Sequence, residues 1–85
     1  MIFITLSKFK RKAKDVSEAG QKIMQNLLPH VKIIATSWRL GRYDAVWMYE
    51  GKSEKDAMKV FIHARDVAST ETLVAIPREE AMKLL

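Results

Sequence analysis

The sequence predicts a small α+β domain: one four-stranded antiparallel sheet with both long helices on a single face, in the order βαββαβ, followed by a short terminal helix. Three observations predict it. Residues 2–9, 31–38, 43–50 and 69–76 are rich in β-branched and aromatic side chains. Two intervening segments carry apolar residues at helical spacing. Glycine, proline and helix-cap residues mark the joins. At 85 residues the chain has room for one domain, residues 1–85, because a core of this size shields only ~60–65% of the unfolded chain's surface.

The first strand is "IFITLSKF", residues 2–9. After a basic loop, Asp15-Val-Ser-Glu18 resembles a capping box, and Val16, Ala19, Ile23, Met24, Leu27 and Leu28 recur at helical spacing until Pro29 ends the helix. Val31 to Trp38 reads as the second strand, turning at Leu40-Gly41 into a third, Tyr43 to Glu50, with glycine permitting the positive φ of a two-residue hairpin. Ser53-Glu-Lys-Asp56 offers an N-cap with an acidic N3 partner, opening a helix whose Ala57, Met58, Phe61 and Ile62 form one stripe. "STETLVAI", residues 69–76, is the fourth strand. Pro77 with Glu79 and Glu80 starts the terminal helix, where proline and acidic residues suit the macrodipole. Two split βαβ units of this kind make a ferredoxin-like fold.

The formal charge is +5, and Lys8, Lys10, Arg11, Lys12 and Lys14 carry it locally, since the other ten basic residues are balanced by ten acidic ones. That cluster reads as a solvated loop first, and Lys8, Lys10, Arg11 and Lys12 as a possible anion patch second. The chain contains no cysteine, so disulfides, thiolate metal sites and a cysteine nucleophile are excluded, and a cytoplasmic location is the simplest expectation. The apolar run at the start is too short for a signal core or a membrane span, so no membrane partner is expected.

Pairing outward from Leu40-Gly41 sets Trp38 against Tyr43, Thr36 against Ala45, Ile34 against Trp47 and Lys32 against Tyr49, all on one side. The other side receives Ala35, Val46, Ile33 and Met48, an aliphatic strip of the kind helices cover. Strand one sorts Ile2, Ile4 and Leu6 from Phe3, Thr5, Ser7 and Phe9. If the aliphatic sides meet the helices, six of the seven aromatics lie on the opposite face. Phe3, Ile34, Trp38, Tyr43, Trp47 and Tyr49 are therefore expected to form a dimer face or a ligand-binding wall, because so many large rings together are unusual on a soluble monomer.

At "SWRLGRYDAVWMYE" and "STETLVAI" the chain resembles the GYD family, whose hairpin motif is W-T-L-G-x-Y-D. Trp38, Leu40, Gly41, Tyr43 and Asp44 match, while Arg39 replaces the threonine; Thr70-Glu71-Thr72-Leu73 matches the family's final strand. The resemblance implies a dimeric α/β barrel, of the broad group that includes cofactor-free monooxygenases, lactone isomerases and the amino-acid-sensing domains of leucine-responsive regulators. It brings no cofactor and no catalytic residues with it.

Among residues that could carry chemistry, Asp44 just after the turn reads first as a structural clamp and second as a general base. Glu71 is a candidate for a raised carboxyl pKa inside a barrel, and Tyr43 for a phenol donor. His30 and His63 fall in no ligand-spaced cluster, so no metal is expected, and no serine-hydrolase, phosphate-loop or zinc-protease signature is present. Aligning Tyr43 with the first ring of an RNA-recognition strand leaves mostly mismatches, and Asp44 would repel phosphate, so nucleic acid is not the expected partner. The expected function is a homodimer, able to assemble further, that binds a small, mainly apolar organic molecule. The alternative is a cofactor-free isomerase or monooxygenase acting on one.

Overall fold

A computed structural model describes residues 1–85. The elements are β1 (Ile2–Phe9), α1 (Ala13–Gln25), β2 (Lys32–Trp38), β3 (Ala45–Glu50), α2 (Glu54–Phe61) continued by a 3₁₀ turn (Ile62–Ala64), β4 (Ala68–Ala75) and α3 (Arg78–Met82). The strands form one sheet in the order β2-β3-β1-β4, every neighbouring pair antiparallel. This is the ferredoxin-like α+β fold that the element order predicts.

Three boundaries differ from expectation, each for a local reason. Helix α1 begins before the Asp15–Glu18 pair, with Lys12 as its N-cap, so Asp15 already sits in the first turn and forms no capping box there. The helix ends at Asn26 rather than at Pro29, where the Asn26 side chain donates to the Lys22 carbonyl at 2.8 Å. The hairpin is wider than two residues: Trp38 pairs with Ala45, leaving residues 39–44 as the connection, with Gly41 at φ 115°. A bulge at Ile34 then moves the register by one, which brings Ile33 opposite Tyr49.

The partition of side chains between the two sheet faces is close to the predicted one, but its relation to the helices is inverted. Phe3 and Tyr49 are fully buried and Trp47 is 9% exposed, and all three lie under the helices with Val60 and Phe61. The ring-bearing face is therefore the core, and the expectation that Phe3, Trp47 and Tyr49 point away from the helices is corrected. Phe61 explains the choice. Trp47 meets it edge-on at 5.3 Å, Tyr49 lies tilted against it at 5.6 Å, and Phe3 stacks on Tyr49 at 5.6 Å. Small Ala57 and Ala64 on the same helical segment leave space for these rings.

Polar groups on the buried face are satisfied. The Thr5 hydroxyl lies 2.8 Å from both the Tyr49 hydroxyl and the Thr72 hydroxyl, a relay that crosses three strands. Burial raises the Tyr49 phenol above its ordinary pKa, against the lowering effect of those hydroxyls. The opposite face carries Ile2, Ile4, Leu6, Val46 and Met48, each half-buried, and the exposed Leu73.

The hairpin is pinned to β1 by Asp44. Its carboxylate accepts the Phe9 main-chain N–H at 2.8 Å, its own N–H donates to the Ser7 carbonyl at 2.8 Å, and its carbonyl accepts the Arg39 N–H at 2.7 Å. At the other end of the sheet Asp56 has a similar task. It accepts the Lys52 N–H at 2.7 Å and the Ser53 N–H at 3.3 Å, and its second oxygen lies 3.0 Å from His30 Nε2. The expected Ser53–Asp56 box thus forms, and it reaches further by joining α2 to the end of the α1–β2 connection.

Two stability predictions follow from these carboxylates. Asp44→Ala strips an ionic acceptor from the Phe9 N–H and should cost about 1.5–3 kcal/mol in urea unfolding, whereas Asp44→Asn, which keeps an acceptor oxygen, should cost clearly less. Equal losses would contradict the clamp. For Asp56, the His30 hydrogen bond and then the Lys52 N–H hold the carboxyl below its ordinary range. A lowered folded-state pKa stabilises above the unfolded-state value and is lost as pH falls through the folded one. Melting temperatures of Asp56→Asn should therefore lie below wild type at neutral pH and converge on it below about pH 4.

Candidate functional site

Helix α1 has no buried residue, although Ile23 and the following Leu27 and Leu28 pack against the core edge. Between it and the ring-bearing face lies a cavity of about 180 Å³. Its sheet wall is Ser7, Phe9, Thr36, Trp38, Ala45, Trp47 and Thr70; Val16, Gly20, Ile23 and Met24 form the helix wall, and Phe61, Ala64 and Val67 close one end. The cavity exists because small residues stand where two layers meet. A Cβ built on Gly20 would lie 3.4 Å from the Trp47 ring, at ordinary contact distance, so the hydrogen in its place leaves that space to the hollow. Ser7, Thr36, Ala45 and Thr70 then leave a hollow between the larger rings.

The lining decides what the cavity can do. Both tryptophans of the chain border it, as do the hydroxyls of Ser7, Ser17, Thr36 and Thr70 and the amide of Gln21, but no Asp, Glu, His, Lys, Arg or Tyr does. It offers apolar contact and neutral hydrogen bonds. It offers no group suited to general acid–base catalysis near neutral pH.

The predicted site residues divide between places. Trp38 and Trp47 line the cavity, joined by Phe9, which meets Trp38 edge-on at 5.1 Å. Phe3 and Tyr49 belong to the core, and Ile34 sits exposed at the bulge of the edge strand. Trp38, on the ring-bearing face at the sheet's edge, remains 59% exposed. Tyr43 and Glu71 do come together, the phenol donating to Glu71 Oε2 at 2.7 Å, and that bond is the main cause of a raised Tyr43 pKa. Arg42 lies 5.7 Å from the Tyr43 ring centre. Glu71 pairs with Leu6 on the helix-free face, so this couple is separated from the cavity by the sheet. Asp44 is spent on the backbone of β1, as its structural reading predicts.

The basic cluster is partly tied down. Lys8 donates to the Arg42 carbonyl at 3.3 Å and Lys10 to the Arg65 carbonyl at 3.1 Å, while Arg11 and Lys12 are exposed ahead of α1. No group of three or more His, Cys, Asp or Glu side chains comes together, and no helix is long and apolar enough to cross a membrane. The cavity residues without an individual signal in the sequence are Gly20, Thr36 and Thr70. The one available hint is that hydroxyl residues share a strand face with the rings, where a helix-covered sheet would otherwise be aliphatic.

A search of curated protein sequences found no match. Among solved structures the fold is similar to that of PH0061, with a TM-score of 0.67 and 20% identity over 92% of this chain and 53% of that one, so the chain spans about half the length of PH0061. It is also similar to FFRP-DM1, with a TM-score of 0.58 and 20% identity over 89% of this chain and 100% of the other. A hypothetical protein, PHS023 from Pyrococcus horikoshii, matches with a TM-score of 0.56 and 22% identity over 89% of this chain and 90% of that one. Identities this low speak for the fold alone. The sequence itself is more specific: the model of the GYD domain matches residues 5–85, covering the hairpin, both long helices and the final strand, and the chain belongs to the GYD domain family.

Proposed function

We propose that this protein binds a small, uncharged, mainly apolar organic molecule in the cavity between α1 and the sheet, and does so as a homodimer joined through the helix-free sheet face. The observation that carries the binding reading is the lining itself, two indoles and several hydroxyls with no ionisable side chain. Ligand pockets combine an apolar wall with a few polar groups that fix orientation. A cavity of about 180 Å³ suits a molecule of one ring, since an apolar cavity of ~150 Å³ takes up benzene. A cofactor-free isomerase or monooxygenase is the weaker reading, because its candidate acids, Asp44 and Glu71, do not border the cavity.

The dimer reading rests on different residues from those the sequence suggested. Ile4, Leu6, Val46, Met48 and Leu73 form a contiguous aliphatic patch on the open face, where pairing sets Ile4 beside both Met48 and Leu73. A patch of that kind is a common mark of an isologous interface.

Both readings are open to direct measurement. Toluene titrated into labelled protein should shift the indole N–H resonances of Trp38 and Trp47, and Gly20→Leu, which fills the hollow beside Trp47, should abolish the shifts. Unmoved indoles in the wild type would sink the binding site. Gly20→Ala should instead raise stability by about 0.5–1 kcal/mol, because alanine is the better helix residue and its methyl makes an ordinary contact. In size-exclusion chromatography with light scattering, the wild type should run as a dimer at micromolar concentration and Ile4→Lys as a folded monomer. A monomeric wild type would overturn the assembly.

A further inference from the structure

One end of the sheet is assembled from three separate stretches of the sequence. Phe9 pairs with Ala68, and the Lys10 N–H donates to the Val67 carbonyl at 2.8 Å, which sets the start of α1 beside the turn that follows α2. The Asp44 carboxylate accepts from Phe9 and its N–H donates to Ser7, so the hairpin between β2 and β3 joins the same end. Residues 8–15, 38–44 and 65–68 thus share one end of the molecule.

That end holds the whole of the chain's excess charge. Lys8, Lys10, Arg11, Lys12 and Lys14 come from the end of β1, the loop and the first turn of α1. Arg39 and Arg42 join them from the hairpin, and Arg65 from the turn after α2. Against these eight bases stand three acids, Asp15, Asp44 and Asp66, while the seven bases and seven acids elsewhere in the chain cancel. All eight basic residues are exposed, and none is in an ion pair, since the one salt bridge of the protein joins His30 to Asp56.

Apolar side chains stand out from the same end. Turns in water favour Gly, Pro, Asn, Asp and Ser. This turn instead carries Leu40, fully exposed, with Arg39 on one side and Arg42 two residues on. Nothing lies within 4 Å of a Cβ built on the neighbouring Gly41, so the tip stands clear of the rest of the chain. At its root Trp38 is more than half exposed.

A cluster of cations suits either a nucleic-acid backbone or a phospholipid surface, and Leu40 decides between them. An aliphatic side chain cannot stack on a base, whereas it gains by leaving water for an acyl layer. Trp38 is a poor platform for bases, because its ring meets Phe9 edge-on and borders the cavity under α1. A half-exposed indole is instead the side chain favoured where membrane meets water. Lasting attachment to a membrane surface takes two signals, such as an apolar anchor beside a polybasic patch. The absence of a spanning segment does not bear on attachment of this kind.

We propose that this end of the protein docks on an anionic phospholipid surface. Leu40 and the exposed side of Trp38 enter the interface, while Arg11, Lys12, Arg39 and Arg42 meet the headgroups. Neither the cavity ligand nor the homodimer is required for it.

Co-sedimentation with vesicles of phosphatidylcholine alone, and of phosphatidylcholine and phosphatidylserine in equal parts, tests the surface. The protein should bind the mixed vesicles and not the neutral ones. Raising the salt from about 0.1 M to about 1 M shortens the Debye length from about 10 Å to about 3 Å and should weaken binding at least about tenfold. Arg11→Ser/Lys12→Ser and Leu40→Ser should each keep the wild-type circular dichroism and weaken binding at least about tenfold. Because Trp47 is already buried, a blue shift of the tryptophan emission on mixed vesicles reports Trp38 entering the interface. No binding to the mixed vesicles at about 0.1 M salt would overturn the proposal. Binding that Leu40→Ser leaves within about twofold of wild type would overturn it as well, since charge alone would then account for the attachment. Retention of a single-stranded oligonucleotide without any binding to vesicles would assign this end to nucleic acid instead.

Discussion

The packing of Phe61 against the sheet is the contact on which the rest of this structure depends. A strand sends alternate side chains to opposite sides, so a four-stranded sheet offers the helices two complementary faces. Here one is aromatic and hydroxyl-bearing, the other aliphatic. Phe61 settles the choice because Trp47 and Tyr49 both close on it, with Phe3 behind them. Each such ring can remove 150–250 Å² from water. At about 25 cal/mol per Å² that outweighs what a row of half-buried aliphatic residues gains. Everything on the outer face then follows as a remainder, including the patch centred on Ile4.

Much of this was legible in the sequence, and the failures are instructive. Element order and type followed from periodicity and punctuation. From Ala35 to Trp38 the division of side chains between faces survived an error of two residues in the hairpin register, since an even slip leaves each side chain on its own side, but the bulge at Ile34 turned Ile33 and Val31 to the buried face. The orientation of that division was not legible. Alternation shows which residues share a face but carries no label for the face the helices take, and hydroxyls at positions 5, 7, 36, 70 and 72 made the true core face look like the wet one. The Thr5–Tyr49–Thr72 relay explains how such a face tolerates burial. The cavity was illegible for a different reason: it is made by what Gly20 lacks and by the distance at which α1 stands, and neither leaves a pattern in a single chain.

Three residues of the family's hairpin motif hold the hairpin in place. Gly41 supplies the positive φ of the connection, Tyr43 ties the hairpin to Glu71 on the far side of β1, and Asp44 holds the backbone at Ser7 and Phe9. Position 39, where arginine replaces the motif's threonine, contributes its main-chain N–H to the same clamp, a bond that any residue but proline can make. These contacts set the shape of the hairpin. Yet the shape reaches the cavity, because Ser7 and Phe9, the two β1 residues that Asp44 fixes, are also part of the cavity wall.

The two faces of the sheet differ in chemistry and in how they are covered. The inner face combines a rigid floor, where Trp47 is wedged against Phe61, with a roof, α1, that buries none of its residues. Segments with few buried apolar contacts open at the lowest free-energy cost, so the wall through which a guest would enter is the one held least firmly. Under the proposed binding reading, with no charge among the lining residues, selection among guests would come from shape and from neutral hydrogen bonds. Pocket-shape discrimination of that kind is modest, on the order of 1–3 kcal/mol per methylene. Under the proposed binding reading, a guest that pairs with the hydroxyls of Ser7, Thr36 and Thr70 would be told from one that does not more sharply than two guests that differ by a methylene.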